Sequence, residues 1–452
     1  MDQNIGAGKQ KICAWFDEGT FVELGAKIKK NDRQDSLICG YGSMNGKLAY
    51  AFLQDGDNQK GAFDDMGAAK LGRLYEMAVS NGAPVVGVFC SSGTVIYDGI
   101  KAMSAYGKWM KLVAKASGVV PQIAVIDGVC AASAAALAAM MDFSFFNKET
   151  GSLYVSSPFV LGDQTGTSAS CEANGQIAKS FDHREDMISY VRSFVSDLPS
   201  YAGDTATDIP QDDINRKVQT DGLSTVQLIE AIADDAAFMP LFEGYGETVV
   251  TGFARLGGSL SGIVANVGEN QKGLLTPDAA RKAAKFIRFC DAFGLPVITL
   301  VNSEGVKADV ACENAPFSSE LARLAQSYAS ATCPLITVYV GNAFGPAYIV
   351  MGSEALGADV TYSLPDAKFG ILSPEASVAF LKQDELNAGS SRDELIKEWT
   401  ERYASPEVAA SMGGVDDIID PGEIRQRIIS AVYMTAEKGR AGKHAKHVND
   451  PM

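Results

Sequence analysis

The sequence predicts an α/β protein made of two copies of one unit in tandem. Three blocks of residues recur in the same order at nearly constant spacing, and strand-like and helix-like patterns alternate through them. CGYGSMNGKLAYAF from Cys39 returns in form as TGFARLGGSLSGIV from Thr251, so Gly40 answers to Gly252, 212 positions on. APVVGVFCSSG returns as LPVITLVNSEG, placing Pro84 on Pro296 and Gly93 on Gly305 at the same spacing. VPQIAVIDGVCAASAAALAAM from Val120 returns as CPLITVYVGNAFGPAYIVMGS from Cys333, with Pro121 on Pro334 and Gly128 on Gly341, 213 positions on.

Each element follows from its residues. In the first block, apolar residues alternate with small or polar ones about a glycine pair, the pattern of a β-hairpin. Residues 67–81 and 277–293 read as helices that run into strands. PVVGVF and PLITVYV are apolar at nearly every position and rich in Val and Ile, as suits parallel strands covered on both faces. A glycine loop, a helix, a second buried strand, a glycine-containing turn and a last helix complete each copy. The entrances agree too, since FDEGTFVEL at Phe16 resembles IADDAAFMPL at Ile232. Residues 196–221 carry Pro, Gly, Asp and Thr without periodicity and read as a connector. The expected domains are therefore 1–223 and 224–452.

Composition excludes several classes. Apolar residues at 46% and charged residues at 21% describe an ordinary folded chain of 452 residues. A net charge of −16 argues against nucleic acid, whose backbone needs clustered Lys and Arg. Residues 1–11 are too polar for a signal peptide, and the apolar run 129–141 is too short to span a bilayer, so a cytoplasmic location is expected. Eight scattered cysteines without a C-x-x-C pair read as mostly buried free thiols rather than a zinc or redox site.

Chemistry is expected where strands end in small residues, because the backbone can approach a ligand there. In the first copy these turns are Ser91-Ser92-Gly93-Thr94 and Ala131-Ala132-Ser133. In the second they are Ser303-Glu304-Gly305-Val306 and Phe344-Gly345-Pro346-Ala347. Unpaired N–H groups at such turns can hold an oxygen that becomes negative during reaction. Plain strand-to-helix turns have the same composition, so the pattern leaves both readings open. Of three histidines, His444 and His447 lie in the basic tail GKHAKH and read as solvated; His183 stands alone. The chain holds no G-x-S-x-G elbow, P-loop or H-E-x-x-H string.

At these residues the sequence resembles the carboxyltransferase subunits of biotin-dependent acyl-CoA carboxylases and of sodium-pumping acyl-CoA decarboxylases. The resemblance runs from FDEGTFVEL to KHAKHVNDPM, and its most specific passages include AAKFIRFCDAFGLPVITLVNSEG and GNAFGPAYIVMGSEALGADVTYSLPDAKFGIL. It implies two tandem crotonase-like ββα superhelices, with acyl-CoA held by residues 1–223 and biotin by 224–452. It also implies one oxyanion hole for the thioester enolate, at Gly93 and Thr94 with Ala132 and Ser133. A second, for the ureido oxygen of biotin, falls at Gly305 and Val306 with Gly345, Pro346 and Ala347. No metal is implied. The implied partners are a biotin carrier protein, a biotin carboxylase or membrane decarboxylase subunit, and further copies of the chain in a dimer or hexamer.

The chain departs from the family's pattern. Ser-Ser-Gly-Thr ending at Thr94 stands where the family has Gly-Gly-Ala-Arg, and Ala132-Ser133 where it has a glycine pair. Gly345-Pro346-Ala347 replaces Gly-Gly-Ala, and proline has no N–H to donate. Two alternatives follow: a scaffold subunit that has lost activity, or another crotonase-type CoA enzyme using Glu304, a residue otherwise read as a solvated loop glutamate. The acyl group is not legible, since a small apolar pocket discriminates one methylene by only about 1–3 kcal/mol.

Overall fold

In a computed structural model the chain is described over residues 7–438, except 31–32, 35, 163–164 and 211. It forms two compact units, Met1–Ala206 with Phe242–Tyr245, and Thr207–Leu241 with Gly246–Met452. His444 and His447 lie outside the described residues.

The first unit opens with an antiparallel meander of β1 (Val22–Leu24), β2 (Leu37–Met44) and β3 (Lys47–Gln54). Its hairpin turns on Asn45 and Gly46 at φ 49° and 82°, the left-handed pair that a two-residue turn requires. Asp17 braces this turn, accepting from Ser43 Oγ at 2.6 Å and from the N–H groups of Asn45 and Gly46 at 3.1 and 2.9 Å. Helix α1 (Asp65–Asn81) starts where the Asp64 carboxylate accepts from the N–H groups of Met66 and Gly67, and stops at left-handed Gly82. Then follow β4 (Val85–Ser91), α2 (Ile100–Ala116), β5 (Gln122–Ala131), α3 (Ser133–Met140), β6 (Phe143–Asn147), β7 (Ser152–Tyr154) and β8 (Lys179–Phe181). The eight-stranded sheet runs β1-β2-β3-β4-β5-β6-β8, with β7 beside β5. It is parallel from β3 onward. As the apolar runs predict, β4 and β5 are buried on both faces. Trp109 of α2 anchors this core, with its ring 4.6 Å from Phe63, 5.2 Å from Phe52 and 5.8 Å from Phe89.

The second unit repeats the plan. Helix α4 (Thr225–Ile232) begins at a capping box in which Ser224 and Gln227 bond reciprocally. Strands β9 (Phe238–Leu241), β10 (Val249–Leu256) and β11 (Ser259–Asn266) form the meander. They lead to α5 (Pro277–Ala292), β12 (Val297–Ser303), α6 (Phe317–Ala329), β13 (Leu335–Phe344), α7 (Gly345–Val350), β14 (Val360–Ser363), β15 (Lys368–Gly370) and β16 (Asp417–Ile418). The order is β9-β10-β11-β12-β13-β14-β16, with β15 beside β13, the order of the first sheet.

The repeat holds at single hydrogen bonds. Val85 N–H donates to Pro121 O at 2.9 Å, and Val297 N–H donates to Pro334 O at 2.8 Å. Likewise Tyr50 N–H reaches Pro84 O at 2.9 Å and Gly262 N–H reaches Pro296 O at 2.8 Å. Both prolines of each pair enter a strand where only their carbonyl is needed, so the missing N–H costs nothing. The cysteines are free thiols, six buried and two, Cys13 and Cys90, half-buried. Among the described residues no helix is long and apolar enough to cross a membrane.

Candidate active site

Strands β4 and β5 lie side by side and pair Ser91 with Cys130, so the turns that follow them leave the same end of the sheet. Strands β12 and β13 pair Ser303 with Ala343 in the same way. In open α/β sheets this carboxyl end is where ligands bind. A register shift falls at the same place in both, between Phe89 and Ser91 and between Val301 and Ser303. The bulge aims the following residues out of the ladder.

Past the bulge, each chain closes a small ring. Gly93 N–H donates to Ser91 Oγ at 3.1 Å, and the same hydroxyl donates back to Gly93 O at 3.1 Å. Gly305 and Ser303 do likewise, at 3.1 and 3.0 Å. The glycines stand at φ 130° and 124°, which a side chain rarely adopts. Each glycine carbonyl also accepts from a neighbouring loop, Gly93 O from Phe63 N–H at 3.1 Å and Gly305 O from Leu275 N–H at 2.9 Å. Tyr106 Oη adds a contact to Gly93 O at 3.4 Å, and burial pushes its phenol up to about 12, so it remains neutral. A second loop supports each turn from beneath. A Cβ on Gly61 would lie 1.9 Å from Cys90 O, and one on Gly273 2.0 Å from Asn302 O, so both positions require glycine.

The expected donors separate into two groups. The N–H groups of Gly93 and Gly305 are engaged by serine, and that of Ala132 donates to Tyr154 O at 2.9 Å. The N–H groups of Thr94, Ser133 and Val306 meet no acceptor among the described residues. Ser133 opens α3, where the first N–H groups have no partner within the helix. Ala132 before it is held at φ 52°, ψ −117°. Gly345 takes φ 55° at the equivalent place and lies close to the other turn, since a Cβ on Gly305 would be 3.6 Å from Phe344 O. Pro346 occupies the first turn of α7, where it breaks no helical bond, and stands where the first unit has Ser133. Ala347 is fully buried.

Side chains contribute little titratable chemistry here. Glu304, expected as a solvated loop residue, is instead half-buried, and its Oε1 accepts from Asn342 Nδ2 at 2.8 Å. The reason is tertiary: the bulge brings Asn342 of β13 under the loop. Exposed His183 lies 3.2 Å from Glu149, whose carboxylate raises its pKa. Sequence reasoning placed Ser91 and Ser303 in these turns but gave their side chains no role, although both sit two residues before a repeated glycine. It also missed Phe63, Leu275, Tyr106 and Tyr154, whose roles exist only once the sheet has formed. Beside α3 a cavity of about 490 Å³ opens between Ala135, Ala136, Ala139, Tyr154, Cys171 and Gln176.

A duplicated, mostly parallel sheet with paired backbone turns at its carboxyl end defines a crotonase-like protein. The chain belongs to the family of the carboxyl transferase domain, which matches it over residues 9–449. It is 31% identical to the carboxyltransferase subunit of propionyl-CoA carboxylase from Haloferax mediterranei, over 100% of this chain and 94% of that one. It is 33% identical to methylmalonyl-CoA decarboxylase subunit alpha from Propionigenium modestum, over 98% and 93%. Among solved structures it is similar to transcarboxylase 12S, a hexamer with methylmalonyl-coenzyme A and methylmalonic acid bound, with a TM-score of 0.90, 30% identity, and 98% and 92% of the two chains covered. Carboxyl transfer between biotin and an acyl-CoA is the reaction class of this chain.

Proposed function

We propose that the first unit binds a short-chain acyl-CoA of the propionyl or methylmalonyl type and stabilises its enolate with the N–H groups of Thr94 and Ser133. Removal of the carboxyl group from the thioester's α-carbon leaves its electron pair in the enolate, and the charge gathers on the thioester oxygen. Two N–H donors fixed in advance meet that charge without reorganising, which is where backbone holes gain their rate. The cavity beside α3 falls within the usual range of roughly 300–1,000 Å³, and its apolar side, with Ala135, Ala136, Ala139 and Leu153, suits the apolar part of such a ligand.

The second unit receives biotin, presented by a separate carrier protein. When bound, biotin supplies the ureido nitrogen that takes or gives the carboxyl group. The residues fit an oxygen ligand there: Val306 N–H meets no acceptor among the described residues, its preceding carbonyl is fixed twice, and Gly305 adjoins Phe344. Pro346 withholds the donor that Ser133 offers in the first unit, so Val306 carries the second hole together with Gly345 or Ala347. The matching geometry of the Gly93 and Gly305 turns is the observation that carries this reading.

A homo-oligomer, dimer or hexamer, with a biotin carboxylase or membrane decarboxylase subunit as further partner, completes the proposal. Calorimetry tests the first unit: propionyl-CoA should bind the wild type, and Ala132→Leu, which adds bulk at the exposed turn, should abolish binding. Undiminished binding by the variant would remove this turn from the site.

A further inference from the structure

We infer that Ser91 and Ser303 are positioning residues, each aiming the N–H of the residue three positions on, Thr94 or Val306, into a ligand site. This rests on the oxyanion reading above and extends it to side chains.

Peptide geometry links each serine to the N–H it directs. A peptide is planar and trans, so the N–H of Thr94 points opposite to the C=O of Gly93 in the same plane. Fixing Gly93 O therefore fixes the direction of Thr94 N–H. Three groups hold that oxygen: Ser91 Oγ at 3.1 Å, Phe63 N at 3.1 Å and Tyr106 Oη at 3.4 Å. Ser91 does more, because its hydroxyl also accepts from Gly93 N–H at 3.1 Å and so clamps both polar groups of one glycine. Glycine at φ 130° has wide backbone freedom, and without this clamp the plane can rotate.

The second unit repeats the device. Ser303 Oγ donates to Gly305 O at 3.0 Å and accepts from Gly305 N–H at 3.1 Å, and Leu275 N–H reaches the same oxygen at 2.9 Å. Val306 N–H is the group so aimed. Both serines are buried, at 1% and 0% exposure, so neither hydroxyl is placed to touch substrate. The clamp recurs where the neighbouring residues differ completely, Cys90 and Ser92 in one unit against Asn302 and Glu304 in the other. A local packing accident would not be preserved through such changes.

The test uses full-length protein with Ser91→Ala, Ser303→Ala and the size-keeping Ser91→Cys and Ser303→Cys, each checked for an unchanged melting profile. Amide hydrogen exchange, which needs no turnover, should accelerate by about tenfold or more at Gly93 in Ser91→Ala and at Gly305 in Ser303→Ala, whose N–H groups lose the hydroxyl that holds them. The nitronate analogue of propionyl-CoA carries the enolate's charge. Its affinity should fall roughly 10- to 100-fold in Ser91→Ala while propionyl-CoA affinity changes less than about twofold, and Ser303→Ala should leave both unchanged. In carboxyl transfer to free biotin, Ser303→Ala should lower kcat by roughly 10- to 100-fold with the biotin KM kept within about twofold. Unchanged exchange in both alanine variants, with unchanged analogue affinity in Ser91→Ala and unchanged kcat in Ser303→Ala, would overturn the serine inference alone. A wild type that binds the analogue no better than propionyl-CoA would instead overturn the oxyanion reading and the inference with it.

Discussion

Ala132 and Gly345 occupy equivalent turns at nearly the same φ, 52° and 55°, although only one of them lacks a Cβ. Ala132 pays for this in strain, since a residue with a side chain costs about 1–3 kcal/mol in such a region. Ala132→Gly should therefore stabilise the protein by about 1 kcal/mol after allowing for the extra freedom of glycine in the unfolded chain. Denaturant unfolding checks the sign: a loss of stability would show that the alanine side chain makes contacts that outweigh the strain.

Arg425 is wholly buried in the second unit, with Nη2 2.6 Å from Asp234 Oδ1 and 3.2 Å from Asp212 Oδ2. Its other nitrogens donate to Ile232 O at 2.5 Å and Asp213 O at 3.2 Å. Asp234 in turn accepts from the N–H groups of Gly257 and Gly258 at the hairpin turn. Arg425→Leu should destabilise this unit by about 3–5 kcal/mol, because it leaves a carboxylate buried without its cation. Thermal unfolding of the variant would show the loss as a lowered Tm, and an unchanged Tm would refute it.

Acid should weaken the first hairpin through Asp17. Its hydrogen bonds from Ser43 Oγ and the Gly46 N–H, with help from Asn45 and Arg192, hold its pKa down to about 2. Because the folded value lies below the unfolded one of about 3.9, the contribution is complete above about pH 4 and is lost as the pH falls through about 2. Asp17→Asn should thus melt below the wild type at pH 6 and together with it near pH 2. A gap that persists at low pH would place the effect elsewhere than in the charge.

Glycine made the outline of the site legible, because Gly93 and Gly305 serve backbone angles that few other residues adopt and so recur in register. The buried strands were legible for a similar reason: PVVGVF has no polar face to leave in water. Ala132 gave no such sign, since alanine ordinarily avoids positive φ and its value here is imposed by β5 and α3 on either side. The serine clamp was hidden because a serine near a glycine fits any tight turn, and only the bulge after Phe89 turns this one inward. Glu304 was misread because Asn342, which binds it, lies on a different strand.

Pro346 tests how much one backbone donor matters. Restoring an N–H with Pro346→Gly should raise kcat for carboxyl transfer to biotin, by up to about 10²–10³-fold if no neighbouring N–H has taken the vacant role. A gain of that size over a wild type near background would favour the scaffold reading. Robust wild-type transfer with little gain would show that Val306 with Gly345 or Ala347 suffices.

The central claim is that this chain moves a carboxyl group between an acyl-CoA and biotin. Its most direct test incubates purified protein with methylmalonyl-CoA, radiolabelled in the free carboxyl group, with and without biotin or a biotinylated carrier. Label is expected to move to biotin while propionyl-CoA appears in equal amount, with neither change when biotin is omitted. Label that stays on the thioester, or that is lost at the same rate without biotin, would contradict it.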